Sequence, residues 1–107
     1  MKLDLRMALL GLAATIASPV AGQSNLRSTA KAVEPFARCF AAAQDRAARP
    51  WSFVPRASGG GTFSNAGAAG VRQPYLLDIA DRGSRRDLLL TAAGADSIVR
   101  SAIAQCV

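Results

Sequence analysis

The stretch YLLDIADRGSRRDLLLT, from Tyr75 to Thr91, decides the fold. Tyr75, Leu77 and Ile79 alternate with Leu76, Asp78 and Ala80, the period of a strand buried on one side. Leu88 and Leu90 alternate with Asp87 and Leu89 in the same way, and Arg86 joins the Leu88 face at its rim. Between them, Asp81-Arg82-Gly83-Ser84 is a hairpin turn, because glycine reaches positive φ without steric cost and aspartate bonds its own backbone. Strands over Tyr75–Ala80 and Arg85–Thr91 are thus antiparallel, with one face suited to cover a core.

Downstream, Ala95 to Cys106 is helical, with Ile98, Val99, Ala102, Ile103 and Cys106 on one stripe and Arg100 and Gln105 elsewhere. Asp96 falls in the first turn, where a carboxylate favours the helix dipole. Upstream, Pro35 is placed to open a second helix at its first position, and Pro50 ends it. Phe36, Cys39, Phe40, Ala43 and Ala47 form its apolar stripe, while Gln44, Asp45, Arg46 and Arg49 lie mostly off it. Asp45 and Arg49 are spaced for a supporting ion pair. Trp51-Ser52-Phe53-Val54 reads as a short strand closed by Pro55, and Thr62-Phe63-Ser64 as another. Gln23 to Glu34 is a polar lead-in without a period, in which Ser28 or Thr29 is placed to cap an early helical turn. The expectation is an α+β domain over residues 35–107, with a short antiparallel sheet of three to four strands against an N-terminal and a C-terminal helix.

The first 22 residues have the order of a secretory signal peptide. Lys2 and Arg6 precede the apolar run Met7 to Ile16, and small residues follow with Val20 and Gly22 at −3 and −1, so cleavage falls after Gly22. The run is about half the length that a membrane span needs. Removing residues 1–22 takes away Lys2, Arg6 and Asp4, and the 85 residues left carry 11 basic and six acidic side chains. Export places the chain in the periplasm or outside the cell, with no transmembrane helix in the mature part. There Cys39 and Cys106, the two cysteines, read as one structural disulfide. Both lie on apolar helix faces. A reactive thiol would want a nearby base or a CxxC partner, and the sequence holds neither.

The whole chain has 107 residues, 13 Lys+Arg against seven Asp+Glu, and no histidine. Histidine-based triads, histidine general bases and histidine-ligated zinc are excluded, and two cysteines do not make a zinc site alone. Ser58-Gly59-Gly60-Gly61-Thr62 has no phosphate-loop lysine and no dinucleotide-fingerprint register. The segment Gly59 to Gly70 is read as a turn-rich loop. Ser28 and Lys31 have S-x-x-K spacing but no companion motifs. A small hydrolase would draw on Glu34, Asp45, Asp78, Asp87 or Ser64. Asp78 and Asp87 are placed to face each other across the hairpin, with Arg85 and Arg86 near enough to neutralise them. No metal or cofactor is expected. Arg72, Arg82, Arg85 and Arg86 are candidate anion-binding groups for an envelope polymer or lipid, without the interleaved aromatics of a nucleic-acid reader. The favoured reading is a non-catalytic binding protein whose partner is another protein or an envelope component.

The run Trp51-Ser52-Phe53-Val54-Pro55, followed by Gly59 through Arg72, resembles small exported two-cysteine proteins of unknown function from Gram-negative bacteria. The resemblance implies a periplasmic location and assigns no activity or site residues.

Overall fold

The computed structural model describes residues 23–92 and 97–107. In chain order they form β1 (Gln23–Thr29), α1 (Val33–Arg46), β2 (Ser52–Pro55), β3 (Gly60–Ser64), β4 (Tyr75–Asp81), β5 (Arg86–Ala92) and α2 (Ser97–Cys106). The five strands make one antiparallel sheet in the order β1-β5-β4-β3-β2. Both helices lie on one face of it, so the domain is α+β in two layers. The signal-peptide residues 1–22 and Asp96 lie outside the described residues.

The sheet has five strands, not three to four, and the unexpected one is β1, inside the polar lead-in. Every residue from Asn25 to Ser28 is exposed, so neither face of β1 needs apolar side chains and no alternation marks it. Its backbone ladder to β5, from Gln23 opposite Ala92 to Thr29 opposite Arg86, holds it instead. Thr29 ends this strand rather than capping a helix, and its Oγ1 accepts the Lys31 N–H at 3.1 Å. The helix then begins at Val33 with Ala32 as N-cap, placing Pro35 at the third position instead of the first. Proline is harmless there, since the first four helical N–H groups have no intrahelical acceptor.

The hairpin stands where the alternation placed it. Arg82 N–H donates to the Arg85 carbonyl at 2.8 Å, and Gly83 takes φ +92° at the first of two turn residues. Tyr75, Leu77, Ile79, Leu88, Leu90 and Ala92 face the helices, and all are buried. All six aromatic residues gather on this face. Phe63 lies 4.7 Å from Phe40, 4.6 Å from Phe53 and 5.7 Å from Trp51, ring centre to ring centre, and Phe40 lies 5.9 Å from Tyr75. The triglycine belongs to the β2–β3 hairpin. A Cβ on Gly60 would stand 2.0 Å from the Ile79 carbonyl oxygen, and one on Gly61 2.6 Å from the Phe53 ring, so both positions exclude a side chain.

Two details of α1 differ from its stripe. Gln44, placed off the apolar face, is fully buried one turn beyond Phe40, and neither amide atom finds a partner. Ala47, placed on the stripe, is exposed because the helix has already ended. Arg49 N–H donates to the Gln44 carbonyl at 2.9 Å and Ala48 N–H to that of Asp45 at 3.0 Å, the double closure of a Schellman motif. Ala48 carries the left-handed conformation this requires, with φ +55°. The turn takes Arg49 off the helix, where its guanidinium lies over the Tyr75 ring instead of pairing with Asp45. In α2, Ile98 is exposed, while Val99, Ala102, Ile103 and Cys106 are buried. Among the described residues no helix is long and apolar enough to cross a membrane.

Cys39 and Cys106 are joined in a disulfide with Cα atoms 5.7 Å apart, tying α1 to α2 across 67 positions. Replacing both cysteines by alanine is expected to lower the unfolding free energy by about 4 kcal/mol, the chain-entropy value for such a loop, measured by urea denaturation. A loss below about 1 kcal/mol would place the stability elsewhere. The second prediction concerns the helix end. An L-residue in the left-handed region costs about 1–2 kcal/mol, and glycine escapes most of it. Ala48→Gly is therefore expected to stabilise the fold by about 0.5–1 kcal/mol in the same assay, and a destabilised variant would contradict the strain.

Candidate functional site

The four candidate arginines do not form one patch. Arg82, Arg85 and Arg86 surround the β4–β5 turn, whereas Arg72 precedes β4 at its other end. Arg86 points to the helix-covered face and is buried, donating to Asp81 Oδ1 at 3.1 Å, the Gly83 carbonyl at 3.3 Å and the Ala30 carbonyl at 2.9 Å. It locks the hairpin tip to the β1–α1 corner and is not a surface group. Arg82 and Arg85 both donate to Asp87, each at 3.0 Å. The local balance at the turn is thus three guanidiniums against two carboxylates. Arg72 is exposed beside Arg49, at a cavity of about 420 Å³ under the loop that precedes β4.

The carboxylates are dispersed in the same way. Asp78 pairs in register with Leu89, and Asp87 with Ala80, so the two do not stand opposite each other. Asp78 accepts from Arg56 on the helix-free face, not from Arg85 or Arg86. Arg56 also donates to Thr62 Oγ1 at 3.3 Å and to the Ile79 carbonyl at 2.7 Å, binding β2, β3 and β4 together. This role was hidden in the sequence, where Arg56 sits in a glycine-rich loop 22 positions from Asp78. Asp45 accepts from the Trp51 indole at 2.9 Å, and Glu34 pairs with Arg38 at 3.4 Å along an exposed helix face. Ser64 Oγ accepts from the Ala66 N–H in a local turn. Among the described residues no three or more Cys, Asp or Glu side chains converge as metal ligands would.

Two further concave surfaces border the sheet. One is a groove of about 530 Å³ between Val33, Ala37 and Ala41 of α1 and the aromatic wall of Trp51, Phe53 and Phe63. The small side chains of α1 leave it open, and the Glu34–Arg38 pair lies at its rim. The other is a cavity of about 290 Å³ at the β1 edge, floored by Leu88, Leu90 and Ile103 and bordered by Arg27 and Arg100. Neither Arg27 nor Arg100 stood out in the sequence, because the two come together only when β1 joins β5 beside α2. No protein family, curated protein or solved structure matches the chain.

The Arg82 and Arg85 guanidiniums, hydrogen-bonded to Asp87, hold its carboxyl below the ordinary aspartate value of 3.8. A native value below the unfolded one favours folding fully above the unfolded value, and the gain is lost as pH falls through the native value. Carboxyl NMR is expected to give Asp87 a midpoint below 3.8 that returns toward 3.8 in the Arg82→Ala/Arg85→Ala variant. An unchanged midpoint in that variant would assign the shift to another cause.

Proposed function

We propose that the protein is an exported, disulfide-stapled, non-catalytic binding protein of the periplasm or the extracellular space, whose partner is another protein or a cell-envelope component. One observation carries the reading. Each of the five described side-chain carboxylates of the mature chain is already bonded, four to arginines and Asp45 to Trp51. General acid–base work on a glycoside or ester needs two carboxyls aimed into one cleft. The α1 groove has two carboxylates in its lining, but Glu34 is paired with Arg38 and Asp81 with Arg86, and the rest of that lining is mostly apolar. The cavity at the β1 edge has no carboxylate among the described residues. The disulfide supports the exported location, because such bonds persist in oxidising compartments. The resemblance to small exported two-cysteine proteins points the same way.

A reading as an electrostatic binder of anionic polymer through Arg72, Arg82, Arg85 and Arg86 draws less support. Arg86 is buried, and Arg82 and Arg85 are occupied by Asp87.

Expressed with its first 22 residues in a Gram-negative host, the protein is expected in the periplasmic fraction with Gln23 as its N-terminus and no free thiol, checked by intact-mass and N-terminal sequencing. An uncleaved cytoplasmic chain with two free thiols would overturn export. The immobilised mature chain is further expected to enrich a defined partner from envelope extract, over a reduced and alkylated control. Equal recovery on both would overturn the binding function.

A further inference from the structure

The two edges of the sheet are not equivalent. β2 has four residues, Ser52–Pro55, and is bracketed by Pro50 and Pro55, which supply no backbone donor. Its neighbouring charges are already paired, Arg56 with Asp78 and Glu34 with Arg38. Such an edge is guarded against further pairing. β1 has seven residues and no proline.

The register fixes which groups of β1 face outward. The Arg82–Arg85 bond closes the hairpin, and bonded pairs alternate from there, so Asp87, Leu89 and Thr91 turn their peptide groups to β4. Arg86, Leu88, Leu90 and Ala92 therefore turn theirs to β1, where they meet Thr29, Arg27, Asn25 and Gln23. The backbone N–H and C=O groups of Ser24, Leu26 and Ser28 are left pointing away from the sheet.

The side chains beside that open ladder have two distinct faces. On the helix-free face, Leu26 is 72% exposed and its register partner Leu89 41% exposed. On the other face, Asn25 and Arg27 border the cavity floored by Leu88, Leu90 and Ile103, with Arg100 reaching in from α2. Arg27 is exposed and has no polar partner among the described residues. Arg100 meets Asn25, whose amide oxygen, when turned toward it, accepts at 2.8 and 3.2 Å. Among the described residues no acidic side chain lines this cavity, in contrast to the hairpin arginines.

We infer that the β1 edge is a strand-addition site for an extended segment of a partner protein, with acidic residues facing Arg27 and Arg100 and an apolar residue beside Leu26 and Leu89. The ladder of Ser24, Leu26 and Ser28 supplies main-chain affinity, and the alternating faces supply specificity. Charge decides against a second copy as the occupant. Two β1 strands paired antiparallel about Leu26 would bring Arg27 and Arg100 of both copies to one side of the seam, four guanidiniums with no lining carboxylate among the described residues.

The proposal rests on the reading as a binding protein and adds the place and the partner's chemistry. The test uses the mature disulfide-bonded chain and a nonapeptide with a central Glu-Leu-Glu, compared with one carrying Lys-Leu-Lys. Titration followed by amide NMR is expected to shift Ser24, Leu26 and Ser28 with the acidic peptide. Affinity is expected to fall at least about tenfold for the basic peptide, for Arg27→Ala/Arg100→Ala and at high salt, as loss of two charge contacts implies. Ser28→Pro removes only an outward N–H, so it is expected to keep the wild-type melting curve while losing the peptide. Equal binding of both peptides, or shifts confined to the α1 groove, would overturn the proposal. So would concentration-dependent dimerisation that Ser28→Pro abolishes, since it would make the occupant a second copy. A partner captured from envelope extract and still held by Ser28→Pro and by the arginine variant would overturn this site while leaving the binding function standing. Failure of the wild-type chain to capture any partner would remove the function itself.

Discussion

The disulfide between Cys39 and Cys106 is the constraint on which the arrangement of the layers depends. A domain of this size buries a modest fraction of its surface, and this one fills much of its helix stripes with alanine. α2 has only ten residues, too few to be stable as an isolated helix. The covalent tie holds it beside α1, whose Phe36 and Phe40 reach into the aromatic cluster on the sheet. Both helices are thereby committed to the same face. Among the described residues the helices form one layer and none lies on the reverse, so Leu89 and Leu26 remain exposed and Asp78 takes Arg56 as its neutralising partner.

Within that frame the polar groups do structural work that their sequence positions disguise. Arg86 is the clearest case. It lies among arginines that look like a basic surface, yet it occupies the first inward position of β5, beyond the last buried leucine. A guanidinium there has to be hydrogen-bonded, and the carbonyls of Gly83 and Ala30 with the Asp81 carboxylate take its Nη1 and Nη2 donors, leaving only the buried Nε–H without a partner. The hairpin tip and the β1–α1 corner are consequently fastened by one side chain. Arginine density along the chain is a poor guide to surface charge when the intervening residues include Asp81 and Asp87.

What the sequence disclosed and what it concealed follow one rule. Segments with a wet side and a dry side announced themselves: β4 and β5 by alternation, the helices by their stripes, and the cysteines by their place on those stripes. The turn was legible because Gly83 alone of its residues takes positive φ. Features with no such contrast were not legible. β1 buries neither face along Asn25–Ser28 and so has no period. Gln44 is buried against its own polarity, with both amide atoms unpartnered, and no composition rule places a glutamine there. Arg56, Arg27 and Arg100 owe their surroundings to strand order, which brings residues dozens of positions apart into register and leaves no local trace.

The property that hid β1 is also the one that makes it available. An edge strand covered by a helix or a neighbouring chain segment would need apolar residues on the covered side, and those would have shown a period of two. The polar run of β1, broken by the single exposed Leu26, is the composition of a strand with one ladder satisfied and the other open among the described residues. Exposed edges invite indiscriminate pairing, and charge is a common defence. Arg27 and Arg100 form such a defence against cationic strands and against a copy of the same edge. Against an acidic strand the same two charges are attractive. Discrimination of this kind comes from repulsion of wrong partners as much as from contacts with the right one. It requires the two guanidiniums to lack internal carboxylates, and among the described residues that is the respect in which they differ from Arg56, Arg82, Arg85 and Arg86.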